Sequence, residues 1–186
     1  MRIKLLVLLS IIYSKDIGKH FPEKYFRTDH TLIDAKIAYE DFSCSMPIDL
    51  KKIEISEIST INNKLELEQN SFHETDIIDI YKNEEDTFGI CISKVKLNST
   101  NSIFSDDYTR YLVKSFSTEN IYRYQFSFDN IKVIQYQINH LALVQLKIFL
   151  LLKDSTYGID FLIDRNNYYN YISHVESMLS TIQQTI

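Results

Sequence analysis

Two cysteines, three glycines, two prolines and no tryptophan occur among 186 residues, and each shortage removes a class of protein. Two thiols, Cys44 and Cys91, are too few for a disulfide framework or a cysteine-ligated zinc site, and a single bridge between them forms only if their strands are neighbours. Three glycines leave little room for a loop that cradles phosphate, and with two prolines there is little for a flexible linker. Basic residues do not predominate: 20 Lys and Arg stand against 25 Asp and Glu, for a net charge of −5. That balance gives no electrostatic attraction to nucleic acid or anionic lipid. Apolar runs long enough to span a bilayer are also missing, because Leu5 to Tyr13 is too short. There is neither an internal repeat nor a low-complexity tract.

What is present suits a globular protein of one domain: 45% hydrophobic and 24% charged residues in 22.0 kDa, a size that buries a sizeable core without a metal or disulfide. The most informative stretch is 121–182. Ile121 to Phe128 alternates, with Tyr122, Tyr124, Phe126 and Phe128 on one side and Arg123, Gln125 and Ser127 on the other, as a half-buried strand does. Asp129-Asn130 is a two-residue connection suited to the positive φ of a tight hairpin. The run 131–138 follows, then Asn139-His140 as a second short connection. In Leu141 to Lys153 the even positions from Ala142 to Leu152 are all apolar, which predicts the central strand. Tyr157, Ile159, Phe161 and Ile163 point inward in a fourth strand, 157–164, with Asp160 and Asp164 outward. The period then changes: Tyr168, Tyr171, Ile172, Val175, Met178, Leu179 and Ile182 predict an amphipathic helix over 166–183, started by Asp164 and lying back across the meander.

Upstream, the basic start Met1-Arg2-Ile3-Lys4 and the apolar run after it resemble a secretory signal peptide over residues 1–14, with Ser14 before the cut and 15–186 as the mature domain. The alternative is a buried first strand in a cytosolic protein. Tyr25, Phe26, Leu32, Ile33, Ile37 and Tyr39 are candidate anchors in a segment that includes some helix. Phe42 to Met46 is a short strand stopped by Pro47, with Phe42, Cys44 and Met46 inward. Ile53, Ile55, Ile58 and Ile61 suggest a less regular strand, and 76–82 pairs with 87–97 as a hairpin. Ser105 is placed as an N-cap, with Asp106 and Asp107 in the first turn of a helix carrying Tyr108, Tyr111, Leu112 and Phe116.

A strand ending in proline, Phe42-Ser-Cys-Ser-Met-Pro47, then the mid-chain hairpin, the Ser105-Asp-Asp-Tyr-Thr helix, the meander and a closing helix after Tyr157-Gly-Ile-Asp-Phe161 together resemble the PsbP-like superfamily over roughly residues 40–185. The resemblance implies an α+β fold, an antiparallel β-sheet flanked by helices in an α/β/α sandwich, and an accessory or binding role without catalysis. It carries over no functional residue.

Candidate chemistry is sparse. His73-Glu-Thr-Asp76 lacks the spacing of a metal site, His140 lies in a turn, and His174 is on the polar side of the last helix. No cofactor is implied. The aromatic stripe of 122–128 has the rings to stack bases or sugars, but packing beneath a helix is the simpler reading. The acids are unevenly spread: 13 of the 25 lie between Glu40 and Asp86, with four Lys and no Arg. The expectation is an exported, non-enzymatic protein that binds a partner with a basic surface, as an accessory factor or a toxin inhibitor of the immunity type, with Glu84, Glu85 and Asp86 at the docking turn. The alternatives are a small-ligand or lipid carrier with a pocket between sheet and helices, and an uncharacterised hydrolase.

Overall fold

The computed structural model describes residues 23–54, 56, 73–97, 101–115 and 120–185, with only the backbone of 73, 74, 97, 101–105 and 115. The strands are β1 (Ile33–Ala38), β2 (Phe42–Pro47), β3 (Lys51–Lys52), β4 (His73–Lys82), β5 (Phe88–Leu97), β6 (Ile121–Phe128), β7 (Ile131–Asn139), β8 (Leu143–Leu151), β9 (Thr156–Asp164) and β10 (Gln183–Gln184). The helices are α1 (Asn101–Ser115) and α2 (Tyr168–Ser180), the second entered through a 3₁₀ turn, Arg165–Asn167. Every pairing between named strands is antiparallel. Seven strands form one sheet in the order β3-β4-β5-β9-β8-β7-β6, and three form a smaller one in the order β1-β2-β10.

The meander is as the alternation predicts. Asp129 and Asn130 turn from β6 to β7 with φ of 46° and 64°, the left-handed pair of a tight hairpin. The next connection is longer than Asn139-His140: β7 runs through Asn139 and β8 starts only at Leu143, which leaves Leu141 exposed on the turn. β8 is internal but not central. The meander is extended beyond β9 by the β4–β5 hairpin, so β9 takes the middle position, and its Ile159, Phe161 and Ile163 are fully buried.

Both faces of the large sheet are covered. On one face Val144, Leu146, Ile148 and Leu150 of β8 meet Ile172, Val175, Met178 and Leu179 of α2, together with Phe42, Cys44 and Met46 of the small sheet. On the other, Ile134, Tyr136, Phe149 and Leu151 meet Tyr108 and Leu112 of α1. Cys44 is buried as its alternation predicts. Ser43 is buried as well, on the middle strand of the small sheet.

Two helix boundaries differ from the sequence reading. α1 begins at Asn101, so Ser105 lies inside the helix and is not its cap; the apolar spacing of Phe104, Tyr108 and Leu112 continues the helical period back past it. Asp106 and Asp107 then sit in the second turn and pair outward, with Arg123 at 2.9 Å and Arg110 at 3.1 Å. α2 ends at Ser180 because the Ser180 and Thr181 hydroxyls turn back onto the carbonyls of Ser177 and Met178, and Gln183–Gln184 leave to pair with β2. The Asp164 cap is present, its carboxylate accepting from the Asn166 amide at 2.8 Å. In 23–41 the described structure is β1, with Tyr25 exposed and Phe26, Ile37 and Tyr39 packed on the core. Of the run Ile53, Ile55, Ile58 and Ile61, Ile53 follows the two-residue β3 and the rest lie outside the described residues, as does the expected signal peptide. No described helix is long and apolar enough to cross a membrane.

Candidate functional site

The β4–β5 turn carries Glu84, Glu85 and Asp86. The Asn83 side chain shapes it, accepting from the Thr87 and Phe88 amides at 2.9 and 3.1 Å and donating to the Tyr171 hydroxyl at 3.0 Å. Glu84 pairs with Lys51, which holds its carboxyl below the usual range, and Asp86 pairs with Lys82 at 2.9 Å. Glu85 is exposed. Other acids of the same stretch are consumed internally: Glu40 accepts from Lys94 at 2.8 Å and Asp41 from the Tyr157 hydroxyl at 2.9 Å. What stays outside is concentrated on one edge. Residues 49–54 and 75–86 hold seven acids against three lysines, and all of the seven but Asp79 are exposed. Asp49, Glu54, Asp76 and Glu85 are exposed there, with no ion-pair partner among the described residues.

Beside this edge a bulge between Ile77 and Asp79 adds one residue to β4 and reverses which face its side chains take. Asp79 is thereby buried under the small sheet, where its carboxylate accepts from the Tyr39 and Tyr81 hydroxyls at 3.2 and 3.1 Å and pairs with Lys52 at 2.5 Å. Burial raises both phenols, Tyr81 to about 12. With Glu40 and Asp41, three successive residues of the β1–β2 turn are tied to the large sheet.

The α1 face holds a second buried polar group, which the sequence reading missed by placing Asp160 outward. The register aligns Ile80, Cys91, Asp160, Lys147, Tyr136 and Arg123 in one row across six strands. Lys147 and Gln145 both donate to Asp160, each at 2.8 Å. The Tyr136 hydroxyl lies 3.1 Å from that of Thr109, and Arg123 reaches Asp106 and Thr109 of α1. Burial works to lower the Lys147 pKa, but the Asp160 charge prevails and raises it, so the ammonium is kept. A signal was present: the hairpin that turns at Lys153-Asp154 puts residue 147 opposite 160, an opposite-charge cross-strand pair.

Cys91 lies in this row and Cys44 under the small sheet, so the sheet separates them. Both thiols are free, and burial pushes each up to about 12, which keeps them protonated and unreactive at neutral pH. Asp76 is exposed on β4, and the side chains of His73 and Glu74 lie outside the described residues. Among the described residues no three His, Cys, Asp or Glu converge as metal ligands would. His140 lies 3.4 Å from the Gln145 amide oxygen. His174 is not fully exposed as its polar-side placement predicts: its ring packs on Tyr171 and Phe88. A groove of about 200 Å³ runs over Gly89, lined by Ile80, Lys82, Cys91 and Leu162.

The aromatic stripe of β6 divides. Phe126 and Phe128 are buried against Phe26, whose ring meets both edge to face at 5.7 and 5.5 Å, with the Lys24 ammonium 4.6 Å from the Phe26 ring centre. Tyr122 is 38% exposed and Tyr124, packed on the core, half-buried, so the covering predicted for the whole stripe is complete only at its phenylalanines.

No family model matches the chain, and neither does any curated protein. Among solved structures the chain is similar to the PsbP protein (CyanoP) of the cyanobacterium Synechocystis sp. PCC 6803, at 6% identity and a TM-score of 0.53, over 90% of this chain and 96% of that one. A structure from Bacteroides thetaiotaomicron VPI-5482 matches at 11% identity and a TM-score of 0.39, over 78% of this chain and 45% of that one. The first likeness is one of fold, and the fold is PsbP-like.

Proposed function

From a PsbP-like fold, we propose that this protein is an exported, non-enzymatic binding factor, a single α/β/α sandwich that docks a partner with a basic surface on the β3–β4 edge. The observation that carries this reading is the concentration of charge: the edge holds a net −4 of the chain's −5, and four of its acids lack a lysine partner among the described residues. Unneutralised charge of one sign on a sheet edge speeds encounter with the opposite sign. Glu84 and Asp86, clasped by lysines, shape the turn, while Asp49, Glu54, Asp76 and Glu85 supply the field. The carrier alternative has less support: the space between the sheet and α2, beside Phe26, Leu146 and Val175, holds only about 10 Å³, and the groove over Gly89, lined by no described helix residue, is smaller than the roughly 300–1,000 Å³ of ordinary ligand pockets.

The test is kinetic. Proteins captured by the chain from the exported fraction of the native cell are identified, and association of the purified partner is measured with the native chain and with Asp49→Asn/Glu54→Gln/Asp76→Asn/Glu85→Gln. The variant is expected to fold normally, since exposed substitutions stay within about 0.5 kcal/mol. Its association should be roughly 3- to 10-fold slower at ~0.01 M salt, with the difference gone near ~1 M, where the Debye length falls to about 3 Å. Rates indifferent to both the substitutions and the salt would remove the edge from the docking surface. For export, mass spectrometry of the native protein should find a new N-terminus between Ser10 and Gly18; soluble protein retaining Met1 would overturn the localisation.

A further inference from the structure

The open half of the β6 stripe belongs to a platform that the charged edge does not explain and that lies at the opposite end of the strand order. Its floor is Tyr122 and Tyr124 on β6 with Gln137 and Asn139 on β7. Tyr122 is the direct cross-strand partner of Gln137, and Asn139 follows on the same face. Its wall is the start of α2, where Tyr168 and Tyr169 meet edge to face with centres 5.6 Å apart, and Tyr168 is close enough to Tyr124 for their phenols to act on each other. Tyr169 is 81% exposed. The two amides are joined: Gln137 Nε2 donates to Asn139 Oδ1 at 3.1 Å. That bond fixes their orientation and leaves the Gln137 oxygen as an acceptor and the Asn139 NH₂ as a donor, both half-buried and with no other partner among the described residues.

The geometry points to a binding site for neutral oligosaccharide chains. Every one of the six side chains is uncharged, so the platform itself offers a ligand no ion pair, although Glu176 of α2 lies near enough to act on Tyr168. The face of a pyranose ring is a patch of slightly positive C–H groups that packs on the negative face of a phenol ring, and its edge carries vicinal hydroxyls that each donate and accept. Rings set beside a fixed acceptor and donor match both at once. Tyrosine adds a hydroxyl at the rim and loses little conformational entropy on contact, having only two side-chain torsions. The phenylalanine half of the same stripe shows what this strand does with an apolar partner, closing on Phe26; the tyrosine half substitutes hydroxylated rings and amides for that dry contact.

The test uses protein carrying isotope-labelled tyrosine rings, titrated in turn with maltohexaose, cellohexaose, chitohexaose and a lysine-rich peptide while ring signals are followed by NMR. The rings of Tyr122 and Tyr169 are expected to shift saturably with at least one hexaose. Tyr169→Ala, which removes an exposed side chain and leaves the fold intact, is expected to weaken that binding by about tenfold or more, a loss of roughly 1.4 kcal/mol. Asn139→Ala should do the same by removing the fixed donor. No shift with any hexaose at about 10 mM, where even a millimolar dissociation constant gives near saturation, overturns the proposal. So does a shift of these rings with the peptide alone, which would make the platform a protein-docking surface. Because the platform and the charged edge share no residue, either can fail while the other stands.

Discussion

Replacing Lys147 with Met is expected to destabilise the protein by about 3–5 kcal/mol, the cost of leaving a buried carboxylate without its counter-charge. The side chains of Lys147 and Asp160 are only 14% and 12% exposed, and among the described residues the ammonium and Gln145 are the donors that hold Asp160. Methionine fills a similar volume, so the loss is electrostatic and not a cavity. The double substitution Lys147→Met/Asp160→Leu removes both charges and should recover most of the loss, because apolar replacement of a whole buried pair is often neutral or stabilising. Urea unfolding of the three proteins decides it: a single variant within about 1 kcal/mol of the native chain would mean that water reaches Asp160. The pH dependence has a fixed sign. A lysine whose folded pKa is raised contributes stability that is complete below its unfolded value, near 10.4, and lost as pH climbs through the folded one. The Met variant should therefore decline less steeply than the native chain above about pH 10, what remains coming from the raised Tyr39 and Tyr81 phenols and the two raised thiols.

Phe161→Ala is expected to cost about 3–5 kcal/mol, through lost transfer energy and the cavity left behind. Phe161 is fully buried on β9, between Ile90 of β5 and Leu146 of β8 in the sheet register. For a chain of this size that lowers the melting temperature by roughly 6–20 °C. Amide exchange locates the same centre: β8 and β9 are each bonded on both sides and should hold the slowest amides, whereas Ile121 to Phe128 on the outer strand should exchange faster. Calorimetry showing a shift under about 3 °C, or β9 amides exchanging as fast as those of β6, would contradict the strand order.

The meander was legible because each strand repeats with period two and each turn is short: Asp129-Asn130 could do little else. The hairpin at 76–82 was legible for the same reason, although its bulge was not, since one additional isoleucine in Ile77-Ile78 leaves no trace in an apolar run. Asp160 was misread because alternation assigns polar residues to solvent, and that rule fails when the second face is also covered. Lys147 directly opposite was the cue, available only once the pairing was drawn. The apolar run of β8 points to the middle of the sheet, yet which strand lies there depends on the distant β4–β5 hairpin, and local pattern carries no such information. Strand β10 was hidden inside the helical period of α2, whose last apolar position, Ile182, is buried but no longer helical. Of the candidate sites, the acidic excess was plain in composition, but which acids are spent on Lys51, Lys94 and Tyr157 is settled by tertiary contacts alone. The split of the β6 stripe between buried phenylalanine and open tyrosine follows from Phe26, a hundred residues upstream.

The small sheet imposes an order of events on the folding chain. Its middle strand, β2, takes β1 from next to it but β10 from far downstream, and the Ser45 amide donates to the Thr181 hydroxyl across 136 residues at 2.8 Å. Closing so long a loop is entropically expensive unless the intervening chain is already condensed. The seven-stranded sheet is that intervening chain. During synthesis the β1–β2 hairpin emerges early yet must wait, its second edge unpaired, until the meander and α2 have formed and delivered residues 181–184. For that interval β2 is an open strand rich in buried-type residues, Phe42, Cys44 and Met46, and it is the segment through which a half-made chain would pair with the wrong partner.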